Sequence, residues 1–168
     1  MRPRLSEAEA LQPGLAARIE ADLAALAAAW PQGLPQGVIH ADLFPDNVLF
    51  LGPKVSGLID FYFACSDALA YDLAVCINAW CFEPDRSFNL TKGQNLIAGY
   101  SAVRPLTPEE RSALPILARG AAMRFFATRL ADWAASPPGA LVRPNDPRDY
   151  ADRLAFHARA KGPADYGG

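Results

Sequence analysis

Apolar residues recur at helical spacing near the start of the chain. Leu15, Ile19, Leu23, Leu26 and Trp30 follow one another at steps of four, four, three and four, the period of one buried helical face. The alanines between them favour helix, with Pro13-Gly14 before and Pro31 after as punctuation. A Pro/Gly-rich link over residues 31–37 then delivers the apolar pair Val38-Ile39 into His40-Ala41-Asp42. Two short apolar runs, 47–51 and 55–59, are joined by Gly52-Pro53-Lys54, which predicts a β-hairpin with a tight turn. Beyond Leu69 the pattern turns helical, over 71–81, 90–101, 107–133 and 147–160. Thr107-Pro108-Glu109-Glu110 reads as a capping box with proline at the first helical position. Pro115 is expected to kink or divide the helix that follows, and Ser136-Pro137-Pro138-Gly139 to form a loop. There is no internal repeat. The prediction is an α+β fold, predominantly α, with one β-hairpin.

Length and composition narrow the function classes. A chain of 168 residues is one domain or one large lobe and can bury roughly 70% of its unfolded surface. Apolar residues make up 51% and charged residues 20%, the balance of a soluble globular protein. The formal net charge of −2 lacks the basic excess of a sequence-independent nucleic-acid binder. No apolar run approaches the roughly 18 residues of a membrane span, and the Met1-Arg2-Pro3-Arg4 start has no signal-peptide core. A cytoplasmic location is therefore expected. Three cysteines, Cys65, Cys76 and Cys81, show no C-x-x-C spacing, against a disulfide framework or structural zinc. Cys76 and Cys81 lie in an apolar run and read as inert buried thiols. With only His40 and His157 present and no G-x-S-x-G elbow, a multi-histidine metal centre and a hydrolase elbow are both excluded.

The chemistry concentrates in His40-Ala41-Asp42-Leu43-Phe44-Pro45-Asp46-Asn47, with Ile59-Asp60-Phe61 beyond it. Asp42 follows an apolar pair and precedes a Phe-Pro-Asp turn, which places it in a loop. Asn47 opens one strand of the hairpin and Asp60 closes the other, so the two are expected side by side at its open end. Two oxygen donors there, near a third carboxylate, suit Mg²⁺, an ion that takes few protein oxygens and completes its shell with water and phosphate. A carboxylate base, an Asn five residues on and a metal-binding Asp thirteen further is a kinase spacing. Each residue alone would read as a turn former; the three together point to phosphoryl transfer. His40 is expected to fix the loop rather than to react.

These motifs resemble the aminoglycoside phosphotransferase and choline kinase group, whose C-terminal lobes carry H-x-D-x-x-x-x-N and I-D-F. A closer resemblance is to the bacterial homoserine kinase family. It runs from His40 through Phe50, over Gly57-Leu58-Ile59-Asp60-Phe61-Tyr62-Phe63, and on through Tyr71-Asp72-Leu73-Ala74 and Ile77-Asn78-Ala79-Trp80-Cys81-Phe82. Arg124-Phe125-Phe126 and Arg129-Leu130-Ala131-Asp132-Trp133 look like the same family's helices. The resemblance implies a protein-kinase-like C-lobe, ATP and Mg²⁺ as cofactors and homoserine as the small-molecule substrate. It makes Asp42 the base, Asn47 and Asp60 the metal ligands that meet the nucleotide phosphates, and Asp72 a buried structural carboxylate organising the loop. Leu49 and Ile59 are then either an apolar floor beneath adenine or ordinary core. For the acceptor the chain offers Tyr62, Asn78, Trp80, Arg124 and Arg129. Choline, ethanolamine or an aminoglycoside as acceptor, and a catalytically silent binding lobe, stand as alternatives.

One departure from the two-lobed family is visible. No glycine-rich loop precedes the motif, and the three lysines, Lys54, Lys92 and Lys161, all lie after Asp42, whereas a kinase phosphate-binding lysine precedes the base. Residues 1–168 are therefore expected to be a C-terminal catalytic lobe without its nucleotide-clamping partner. Such a lobe should expose apolar hairpin residues and tend to self-associate.

Overall fold

A computed structural model describes residues 4–137, 141 and 144–167. Pro138 and Gly139 of the predicted loop, and Met1 to Pro3 of the leader reading, lie outside the described residues.

The opening helical pattern is α2 (Leu15–Ala29), and a further short helix that the pattern did not include, α1 (Leu5–Leu11), precedes it. They are separated at Gly14, whose φ of 79° lies in the left-handed region that glycine tolerates. The Glu9 carboxylate reaches over this break to accept from the N–H groups of Gly14 (2.9 Å) and Ala16 (3.3 Å), covering donors that the start of α2 leaves free. Asp22 on α2 pairs with Arg119, so α2 is pinned as well as packed.

Four short strands follow in two separate antiparallel ladders. The predicted hairpin is β2 (Val48–Leu51) with β3 (Lys54–Leu58). Strand β1 (Gln36–Ile39) pairs with β4 (Cys65–Ala68), Gln36 opposite Ala68 and Ile39 opposite Cys65. This second ladder is an addition to the predicted single hairpin. Cys-Ser-Asp-Ala has no apolar alternation, and only its partner makes it a strand.

The rest is helical, as the pattern requires: α3 (Leu69–Trp80), α4 (Leu90–Val103), α5 (Pro108–Ala135) and α6 (Arg148–His157), with a 3₁₀ turn at Pro163–Tyr166. The capping box is present: Thr107 Oγ1 accepts from Glu110 N–H (3.2 Å) and the Glu110 carboxylate accepts from Thr107 N–H (3.0 Å). Pro115 does not divide α5, which continues unbroken for 28 residues. The single hydrogen bond it removes is outweighed by a helix buried along its length, with Leu114, Leu117, Ala118, Ala121 and Phe126 almost wholly inaccessible.

Helix α5 is the spine between two apolar clusters. One gathers α1, α2 and α6 around Phe126 and Leu130; the other gathers α3, α4 and the C-terminal turn around Leu114 and Ala118. A polar chain ties the second cluster together. Asn78 donates to the carbonyls of Ala74 (3.0 Å) and Ala118 (2.9 Å), and its Oδ1 faces His157 Nε2 at 3.1 Å. Since an amide oxygen only accepts, His157 carries its proton on Nε2, and Nδ1 accepts from the Tyr166 hydroxyl (2.9 Å). Burial lowers the His157 pKa to about 3, keeping the ring neutral. Burial also pushes Cys76 up to about 12 and Cys81 up to about 11, which makes both thiols unreactive.

Candidate active site

The loop after β1 is built around a backbone turn that few residues adopt. Ala41 has φ 62°, a left-handed conformation costly for a residue with a Cβ, and three side chains hold it there. Asp72, in the first turn of α3, accepts from the N–H of His40 (2.9 Å) with one carboxylate oxygen and of Ala41 (2.8 Å) with the other. From the opposite side the Arg124 guanidinium on α5 donates to the Ala41 carbonyl. The His40 ring, buried against Phe61 with centroids 4.6 Å apart, bridges to the hairpin: its Nε2 donates to the Ile59 carbonyl (2.9 Å) and its Nδ1 accepts from Asp42 N–H (3.3 Å). His40 thus couples the loop that carries Asp42 to the strand end that carries Asp60.

The hairpin register sets the other half of the site. Val48 pairs with Leu58, and Ile59 N–H donates to the Asn47 carbonyl (3.1 Å), so Asn47 and Asp60 lie at the open end. The Asn47 amide donates to the Asp42 carbonyl (2.8 Å), which leaves its Oδ1 for other partners. Asp60 is exposed, with φ 61°, a conformation that Asp tolerates better than most residues. Burial pushes the Asp42 carboxyl above its ordinary range; the Arg124 cation opposes the push and the Asp60 charge adds to it. Two carboxylates that feel each other, beside a free amide oxygen, form an all-oxygen donor set short of a closed cage. That is the donor chemistry Mg²⁺ accepts when water and phosphate complete its shell.

The remaining candidates divide. Leu49 and Ile59 are about half exposed on the hairpin, available as a floor rather than locked in core. Asp72 is half-buried and its oxygens are engaged with the loop. Tyr62 is almost fully exposed, edge-on against Phe63. Asn78 is not at the site: it is wholly inaccessible, and its amide serves the α3–α5–α6 contact described above. Trp80 is nearby, but its indole N–H donates to the Leu43 carbonyl (2.8 Å), so its one polar handle steadies the loop. Arg124 likewise is committed to Ala41 and stacked over Phe63 (5.0 Å) and Phe125 (4.7 Å). Its guanidinium holds the loop backbone. Arg129 lies half-buried over the Tyr150 ring (4.5 Å), 3.7 Å from Asp149. Beside it on α6 are Tyr150 and Arg153, which the sequence reading did not single out. Their only linear signal is a spacing of three, which puts a phenol and a guanidinium on one helix face.

The sequence pattern of the phosphotransferase enzyme family matches residues 2–106. Among curated proteins, the chain is 63% identical over 170 residues to a homoserine kinase of Methylobacterium sp. (strain 4-46), covering 99% of this chain and 53% of that protein. It is 63% identical over 161 residues to the homoserine kinase of Xanthobacter autotrophicus, and 61% over 160 residues to that of Rhodospirillum rubrum, covering 50% of each. The chain spans about half the length of the curated relatives it matches.

Proposed function

The chain belongs to the phosphotransferase enzyme family, and from that premise we propose that the protein transfers the γ-phosphoryl group of ATP to the hydroxyl of homoserine. The observation that carries the reaction type is the meeting of Asp42, Asn47 and Asp60, drawn to one place by the hairpin register and the His40 bridge. The choice of acceptor is supported by the 61–63% identity to homoserine kinases.

Asp42 is the base. Its carboxylate takes the proton of the acceptor hydroxyl as the oxygen attacks phosphorus, and its raised pKa makes it a better proton acceptor than a solvated Asp. Arg124 opposes that rise. Asn47 Oδ1 and the Asp60 carboxylate would hold Mg²⁺, which when bound neutralises charge on the nucleotide phosphates. Leu49 and Ile59 offer apolar surface beside the phosphate site for a planar base. Asp72, His40, Trp80 and Arg124 act at one remove: they fix the loop, and phosphoryl transfer depends mostly on such positioning.

The test is D42N in the full encoded protein. Turnover is expected to fall about 10²–10⁴-fold with the KM for homoserine little changed, because the amide keeps the size and loses the basic oxygen. Turnover within twofold of the unmodified protein removes Asp42 from the mechanism.

A further inference from the structure

A second polar cluster, on α6, is not used by the phosphoryl-transfer residues. Tyr150 is fully buried, and its hydroxyl has no hydrogen-bond partner among the described residues. Arg153, one turn along, lays its guanidinium 4.3 Å from the centre of that ring and 5.0 Å from Phe82. Its Nη1 is sealed from solvent and also unpartnered among the described residues. Arg129, from α5, stacks on the same tyrosine at 4.5 Å. Two guanidinium groups therefore share one phenol, and among the described residues only Arg129 of the two has a carboxylate within salt-bridge distance, Asp149 at 3.7 Å. Burial draws the Arg153 pKa down, and the Arg129 charge adds to that.

An unpaired, half-buried cation is costly to hold. A buried tyrosine hydroxyl and a buried guanidinium nitrogen, neither with a hydrogen-bond partner among the described residues, have the chemistry that suits an anion. The place is also right. Phe44 of the Asp42 loop packs on Phe125 (4.9 Å), and Phe125 packs on Tyr150 (5.4 Å). The Asp42 charge is felt at the Tyr150 hydroxyl. In extended homoserine the hydroxyl oxygen and the carboxylate carbon are about 5 Å apart by standard bond lengths.

We propose that Arg153 and Arg129, with the Tyr150 hydroxyl between them, receive the carboxylate of the acceptor while its hydroxyl faces Asp42. This rests on the homoserine reading and deepens it. The pocket selects an amino acid over choline or ethanolamine, which carry no carboxylate, and Arg153 supplies the forked donor geometry that a carboxylate fits.

The experiment compares homoserine with homoserinol, in which an alcohol replaces the carboxylate, in the full encoded protein and in R153Q and R153K. The unmodified protein should favour homoserine in kcat/KM by at least about tenfold. R153Q should raise the homoserine KM about 10–100-fold, the effect of losing charge-assisted hydrogen bonds, and move the homoserinol KM far less. R153K should recover part of the loss. If R153Q does not fold, as judged by circular dichroism, the two-substrate comparison on the unmodified protein decides. Equal use of both acceptors overturns the proposal. So does an R153Q protein that phosphorylates homoserine with an unmoved KM, and that result leaves the homoserine reading intact. A protein that phosphorylates choline or an aminoglycoside and neither test acceptor overturns the homoserine reading and the proposal together.

Discussion

Asp42 stands between opposing influences, and its titration should report them. Burial and Asp60 push its pKa up, and Arg124 pulls it down. The proposed reaction needs the ionised carboxylate, so activity is expected above the raised pKa and should be lost as pH falls through it. The acid limb of kcat is therefore expected above the ordinary Asp range near 4. R124M removes the opposing cation and should shift that limb to higher pH, alongside any fall in kcat from loosening Ala41. A pH–rate profile checks both points; an acid limb that stays in place in R124M would detach Arg124 from Asp42. Two acidic neighbours should also differ. Asp60 closes the hairpin beside Asn47, while Asp46 lies exposed in the 3₁₀ turn Pro45–Asn47. D60A should abolish Mg-dependent nucleotide binding in a calorimetric titration, and D46A should weaken it no more than a few-fold. Equal losses would mean the metal ligand is misassigned.

At the scale of elements, several boundaries follow from local chemistry that is plain in the chain. The capping box starts α5, Asn89 caps α4 by accepting from Lys92 N–H (3.0 Å), and Gly52 at φ 60° turns the hairpin. What the chain does not spell out is how elements press on one another. Gly93 on α4 lies under the C-terminal 3₁₀ turn, where a Cβ would fall 2.5 Å from the Tyr166 carbonyl oxygen and 2.8 Å from the Phe88 ring. Helix propensity alone would make G93A stabilising by about 1 kcal/mol. Overpacking against backbone typically costs about 1–3 kcal/mol and should win. Urea unfolding is expected to show G93A less stable than the unmodified chain, and an increase in stability would mean that the C-terminal turn is not held against α4.

Across the whole molecule, the apolar surface is unevenly spent. The helical half buries most of its large side chains, with Leu90 and Val103 among the exceptions, whereas the hairpin and the turn after it leave Phe50, Leu51, Val55, Phe61 and Phe63 half or more exposed. Contiguous apolar surface of this kind favours association. The 168-residue chain on its own should therefore self-associate at tens of micromolar, and L51K, at a residue 77% exposed, should shift it toward monomer. Sedimentation velocity over a concentration series decides; a concentration-independent monomer rules the idea out. Among the described residues no helix is long and apolar enough to cross a membrane.

The linear pattern by itself determined the helices from Leu69 onward, the hairpin, and the meeting of Asn47 with Asp60. Each depends on contacts between residues close in sequence, where period, caps and turn residues are the physical cause. Asp42 as the proposed base, and His40 as a residue that fixes its loop, were legible in the motif, whereas Asp72 came from the family resemblance. Tertiary structure alone decided the rest, because it depends on contacts between residues far apart in the chain. It turned Cys65–Ala68 into a strand by supplying β1 as partner. It withdrew Asn78 into the core through bonds to Ala118 and His157, and engaged Trp80 and Arg124 with loop carbonyls. It also brought Arg153 over Tyr150 and Phe82. In sequence an arginine, an asparagine or a tryptophan offers the same donors wherever it stands. Which donors remain free for a substrate is settled only when packing has assigned the others, since a buried polar group must find its partner within the fold.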